Sequence, residues 1–292
     1  MKIAIVILIH EYKEQQKILI RNLAKDFDVF VHIDKRSKIK IEDLKMKNVF
    51  PYKKYKVYWG HYNQILATLF LFQKANEKKY DRYIFISGAD IPLKSNLQIK
   101  IFFENNEKEY FSFSEFPVSY WSNGGFDRID YFHAKSLRRG KINIFDKLFC
   151  KIKNKINQKI LTPLMKSLNL TRRIKGIKYF GGANWMDLTG KCVSQIIEYT
   201  NTHKKFVKKF RYTINADEIF FQTIICNFVK DIIKENITLR YIDWDAFSDS
   251  PRILRKEDYK KIKASKYLFA RKFDSSIDPK IMDMLYKDIG FV

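Results

Sequence analysis

The chain has 292 residues, 46% hydrophobic and 16% aromatic, with 56 Lys and Arg against 32 Asp and Glu for a formal net charge of +24. This composition excludes a disordered chain and supplies enough apolar side chains for one large core or two closely packed ones. Three cysteines, Cys150, Cys192 and Cys226, lack metal-ligand spacing and argue for a reducing cytoplasm over a disulfide framework, and the apolar run Ile3–Ile9 is too short for a membrane span or a secretory leader.

In chain order, Lys2–Leu8 is β-branched with little alternation, which predicts a strand buried on both faces and ending at His10-Glu11. Ile18, Leu19, Leu23 and Phe27 follow at helical spacing. Asp28–Asp34 predicts a second buried strand and Tyr55–Tyr58 a third. Tyr62–Ala75 reads as an apolar helix, and Arg82–Asp90 as a strand running into a glycine-containing turn. This alternation predicts an α/β fold with a mostly parallel sheet flanked by helices, whose ligands bind beyond the carboxyl ends of the strands. His10, Asp34 and Ser87–Asp90 fall at those ends.

The charge narrows the partners to something anionic, and it is concentrated. Residues 134–178 hold 14 Lys and Arg against the single acid Asp146. Within them Phe145, Leu148, Phe149, Ile152, Ile156 and Ile160 recur every three or four residues among lysines, which predicts a basic amphipathic helix ended by Pro163. Two readings are open: a helix packed on its own protein, or one that also touches anionic lipid headgroups. Beyond it come Phe180–Asp187, a helix near Lys191–Thr200 and a strand within Leu239–Trp244. The cations Arg252, Arg255, Arg271 and Lys272 follow. No repeat or linker divides the chain, so one compact unit is expected.

The stretch with the most chemical content is Tyr212–Cys226. Asn215 precedes Asp217 and Glu218, which open an otherwise apolar segment. One reading is helix capping. The other makes Glu218 a base aimed into a cleft, kept ionised by a helix N-terminus. The chain has no Gly-x-Gly-x-x-Gly and no P-loop, and His10, His32, His61, His133 and His203 lack metal spacing. Asp26-Phe-Asp28 leads into a strand instead of out of one, and Asp243-Trp-Asp245 comes late, so no metal is expected. A carboxylate with nearby cations suits glycosyl transfer: the base takes the acceptor hydroxyl proton, and the cations stabilise a departing diphosphate. Nucleic-acid binding through residues 135–178 is the competing reading for so basic a chain. It is disfavoured because aliphatics, not stacking aromatics, are interleaved with the lysines.

Nine blocks then carry a resemblance: Ile7–His10, Val31–Lys35, Tyr58–Gly60, Ile86–Lys94, Phe180–Trp185, Asp217-Glu218, Arg240–Trp244, Pro251-Arg252 and Leu268–Asp274. In this order the chain resembles the Core-2/I-branching N-acetylglucosaminyltransferase family, glycosyltransferase family 14, which includes protein xylosyltransferases. The resemblance covers most of the chain outside residues 134–178. It implies a GT-A-like fold, with a nucleotide-binding part over residues 1–110 and an acceptor and catalytic part over 111–292. It also implies a UDP-sugar donor, inversion at the anomeric carbon, no required metal or other cofactor, and a glycan or lipid-linked saccharide acceptor. The family's base falls on Glu218 and its diphosphate-binding residues on Arg252 and Lys272. The uridine side falls on Ile9, His10, Asp34, Tyr58 and Trp59, and the acceptor side on Trp244, Glu115 and Arg128. The family aromatic two places beyond the tryptophan is Ala246 here. N-acetylglucosamine is the first choice of sugar, with xylose and glucose as alternatives. A bacterial, cytoplasmic enzyme is expected, in peripheral contact with the inner face of the membrane if the basic helix binds lipid.

Overall fold

The structure is a computed structural model describing residues 1–133, 144–244 and 250–291; the side chains of Phe145, Phe149 and Cys150 and the positions Asp245 and Ala246 lie outside the described residues. Among those described, the strands are β1 (Ile3–Ile9), β2 (Asp28–Ile33), β3 (Val49–Tyr52), β4 (Arg82–Ser87), β5 (Ile91–Pro92), β6 (Lys108–Phe111), β7 (Ser114–Glu115), β8 (Phe180–Gly181), β9 (Met186–Thr189), β10 (Ile233–Glu235), β11 (Arg240–Ile242) and β12 (Phe269–Arg271). Seven of them form a sheet in the order β10-β6-β9-β4-β1-β2-β3. β4, β1, β2 and β3 are mutually parallel, β9 runs antiparallel to β4 and β6, and β10 is parallel to β6. This is the mostly parallel, helix-flanked sheet expected from the sequence, in agreement with a GT-A-like fold.

β1 lies inside the sheet because its sequence, Ile-Ala-Ile-Val-Ile-Leu-Ile, is apolar on both faces. Ile3, Ile5, Ile7 and Ile9 enter one core with Leu19 and Leu23 of the Glu14–Leu23 helix and Ile281 and Leu285 of the Pro279–Asp288 helix. Ala4 and Val6 enter the other with Ile65, Leu69 and Phe72 of the Tyr62–Asn76 helix and Phe220, Phe221 and Ile224 of the Phe220–Phe228 helix. Full burial of each such isoleucine contributes about 1.5–3 kcal/mol.

A smaller sheet, β11-β12-β5, sits against the carboxyl end of β4. Arg240 of β11 is fully buried, pairs with the equally buried Asp187 of β9, and donates from Nη2 to the Phe85 carbonyl of β4 at 2.9 Å. Burial pushes the Asp187 carboxyl up and the Arg240 charge opposes this. One ion pair thus fixes the small sheet to the large one. Breaking a buried pair by removing one partner costs about 3–5 kcal/mol.

Two predicted elements differ. Tyr55–Tyr58 forms no strand; the edge strand is Val49–Tyr52, where Pro51 is tolerated because only one side is paired. Tyr55–Tyr58 crosses the carboxyl edge instead, with the Tyr55 N–H donating to His32 Nε2 at 3.0 Å and the Val57 N–H to Asp34 Oδ1 at 3.3 Å. Nor does Pro163 end the basic helix. The Ile144–Ile156 helix passes through a wide π-turn, Asn157–Leu161, into a further helix, Thr162–Ser167, with Pro163 in its first turn. A proline in the first turn of a helix has no N–H to leave unbonded there.

Candidate active site

Glu218 reaches the carboxyl edge of the parallel strands through three backbone anchors. The Gly182 N–H donates to the Glu218 carbonyl at 2.9 Å, the Glu218 N–H to the Asn215 carbonyl at 3.1 Å, and the Ala216 N–H to the Gly60 carbonyl at 3.3 Å. Gly182 cannot be larger, because a Cβ there would lie 2.0 Å from the Ser112 carbonyl oxygen. Gly60 has φ +63° and packs on Asn215. The Tyr58–Gly60, Phe180–Trp185 and Asp217-Glu218 blocks, far apart in sequence, therefore meet in one place.

The expected capping of this segment is corrected. Asn215 is itself left-handed (φ 47°), its side chain caps nothing, and Ala216–Glu218 is a 3-10 turn ahead of the Phe220–Phe228 helix. Glu218 is held by charge, not by a helix terminus. Arg128 donates from Nη1 to Glu218 Oε2 at 2.7 Å while its guanidinium stacks on Trp121 at 3.7 Å. Asp217, almost fully buried, accepts from Gln64 Nε2 at 2.8 Å. Burial pushes the Glu218 carboxyl above the usual range, with Arg128 pulling it back; burial and the Glu218 charge together push Asp217 up. The expected lowering of the Glu218 pKa is thus reversed, because desolvation by burial outweighs the pull of one cation.

The second group lies where β1, β2, β4 and β12 end. The Asp34 N–H donates to the Ile9 carbonyl at 2.8 Å, and Tyr58 is buried beside it. Asp34 is not an open carboxylate. Arg36 donates to it from Nη2 at 2.6 Å and Nε at 3.0 Å, and the Arg36 guanidinium lies 4.2 Å from the Tyr58 ring. Nη1 of Arg36 is buried without a hydrogen-bond partner. Sequence reading missed Arg36, although it stands two residues beyond the Asp34 it holds. His32 accepts from Tyr55, and burial lowers its pKa to about 4, which keeps it neutral. His10 is exposed at the end of β1.

On the other side of Gly88, the Phe273 N–H donates to the Ala89 carbonyl at 3.0 Å and the Leu254 N–H to the Lys272 carbonyl at 2.9 Å. This seats Lys272 against the Ser87–Asp90 turn. Arg271 stacks on Trp185 at 3.8 Å and lies 3.4 Å from Asp90. Arg252 is clamped: its guanidinium donates to Asp258 at 2.8 and 2.9 Å and to Asp243 at 2.5 Å. The Asp243 carboxylate is therefore held by Arg252. Asp26 and Asp28 lie at the amino end of β2, with Asn96 and Lys100 on the first and Tyr80 on the second. Of the acceptor-side residues, Trp244 is exposed, and Glu115, on β7, pairs with Lys178 at 3.0 Å. Arg128 belongs to Glu218.

The geometry defines a class: an α/β domain with a desolvated carboxylate and several arginines and lysines along the carboxyl edge of its parallel strands. Residues 3–266 match the profile of the Core-2/I-Branching enzyme family. The chain belongs to that family and is a glycosyltransferase. No curated protein matches it significantly. Among solved structures it is similar to mannose-1-phosphate geranyltransferase from Thermus thermophilus, at 8% identity and TM-score 0.32, over 80% of this chain and 69% of that one. It is also similar to the apo-form glycosyltransferase GlyE of Streptococcus pneumoniae, at 10% identity and TM-score 0.24, over 99% of this chain and 64% of that one. Both similarities are too distant to transfer a substrate or a residue role.

Proposed function

We propose that the protein is an inverting, metal-independent transferase that moves a sugar, with N-acetylglucosamine the first choice, from a UDP-sugar to a hydroxyl of a glycan or lipid-linked saccharide. The observation that carries this reading is Glu218, a half-buried carboxylate fixed at the carboxyl edge by three backbone anchors and one arginine. In the reaction an acceptor oxygen attacks the anomeric carbon and passes its proton to Glu218. The bond from that carbon to the UDP oxygen breaks, and the diphosphate leaves with its electron pair. Lys272 and Arg252 meet the developing charge, and the Asp34, Arg36 and Tyr58 group faces the nucleoside.

Arg252 in this role must exchange Asp243, its more exposed partner, for phosphate oxygens, while Asp258 keeps the guanidinium oriented. The raised pKa of Glu218 fits a base whose conjugate acid has to release the proton again near neutral pH. The test is Glu218→Gln assayed for transfer and for UDP binding: transfer is lost and UDP affinity kept. A variant with near wild-type turnover would remove Glu218 as the base. Chelation with EDTA leaves transfer unchanged, and a loss restored by Mn²⁺ would overturn the metal-free mechanism. Release of sugar from a panel of UDP-sugars identifies the donor and separates N-acetylglucosamine from xylose and glucose.

A further inference from the structure

The charge of residues 134–178 is the largest feature that catalysis leaves unused. Leu148, Ile152, Ile156, Ile160, Leu164 and Leu168 recur at every fourth residue, and all are exposed, by 45–59%. Exposed large apolar side chains usually stand singly; six in one row form a patch that a soluble surface rarely keeps uncovered. A repeat of four overruns an α-helical turn of 3.6 residues by about 40° per step, which would wind the row around the rod. The π-turn Asn157–Leu161 lies midway along it and locally underwinds the helix, which counters that drift.

Charge selects the occupant. From Lys147 to Met186 there is no acidic residue, and Lys151, Lys155 and Lys159 are exposed beside the apolar row. A second copy of this chain would bring like charge against like. A sheet of anionic headgroups over an acyl interior complements both the lysines and the aliphatics. The element is also tied to the catalytic half of the molecule. Arg172 is buried and donates to the carbonyls of Ile129 at 3.2 Å and Tyr131 at 2.7 Å, and Arg173 pairs with Asp130 at 2.8 Å, in the segment that carries Arg128. Among the described residues no helix is long and apolar enough to cross a membrane.

We propose that residues 148–168 form an interfacial anchor that lies in the headgroup layer of an anionic bilayer, through its aliphatic row and flanking lysines, and so holds the Glu218 site at a fixed orientation to lipid-borne acceptors. The acceptor clause rests on the transferase reading; the anchor does not. The test is flotation of the full chain with phosphatidylcholine vesicles, with and without phosphatidylglycerol. Binding is expected to the anionic vesicles and to fall with salt. Lys151→Glu/Lys155→Glu/Lys159→Glu, all surface positions, lowers the partition coefficient by at least roughly 100-fold. Ile152→Ser/Ile156→Ser/Ile160→Ser abolishes the salt-resistant part of binding. Both variants keep the wild-type melting temperature and release of sugar from the donor in solution. Absence of flotation with anionic vesicles at low salt overturns the proposal. So does a dimer, by light scattering, that the serine variant dissociates, since the row would then belong to a second copy. Equal binding to neutral vesicles overturns the charge-selected form of the anchor.

Discussion

Two clusters at the carboxyl edge have the same charges and opposite characters. Around Arg128 stand Asp217 and Glu218; around Arg252 stand Asp243 and Asp258. In the first, Asp217 is buried and Glu218 half-buried, only one of them touches the arginine, and burial pushes both up toward the neutral form. In the second, both carboxylates bond directly to the guanidinium, Asp258 is held low by that bond, and Arg252 is raised. Burial and hydrogen-bond geometry, not charge count, separate a site that can move a proton from one that keeps a cation in place.

Substitutions that break this contrast differ in size. The largest effect is expected for Glu218→Gln, which removes the proposed base and lowers kcat by about 10²–10⁴-fold, with UDP affinity by calorimetry unchanged. Arg252→Ala deletes the proposed charged donor to the diphosphate and weakens UDP binding by roughly 10–100-fold; unchanged affinity would leave Lys272 as the proposed phosphate ligand. Asp243→Asn frees Arg252 from its more exposed partner, so UDP binding tightens by up to about fivefold. Weaker binding in that variant would mean that Asp243 orients the arginine instead of competing for it.

Asp217→Asn tests the desolvated pair. A carboxyl whose folded pKa is raised contributes stability at low pH that is lost as pH rises through that value. The amide variant should therefore gain stability relative to wild type at pH 8, by up to about 4 kcal/mol for a carboxyl pushed up to about 7, and gain little at pH 4, as read from denaturant midpoints. The smallest change is in the pH profile of Arg128→Ala. Arg128 holds the Glu218 carboxyl down, so its loss moves the acidic limb of kcat/KM to higher pH, and Arg128→Lys moves it less. An unmoved limb would assign that limb to another group.

Much of the fold was legible in local pattern. The isoleucine run of β1, the alternation of strands and helices through residue 90, and the candidacy of Glu218 needed only periodicity and ordered motifs. The basic helix was legible as amphipathic, but only the structure shows that the row from Leu148 to Leu168 is exposed. The expected strand at Tyr55–Tyr58 failed because its hydrogen bonds go to His32 and Asp34, side chains some twenty residues back.

The sequence by itself determined the parallel sheet, the family and the candidate base, because these rest on side-chain type and order along the chain. Only the tertiary structure decided which charges meet. Arg128 pairs with Glu218, Arg36 closes over Asp34, and Asp243 is held by Arg252. Pairing and desolvation depend on distances between segments 90 and even 155 residues apart, and those distances reverse even the sign of the pKa shift at Glu218.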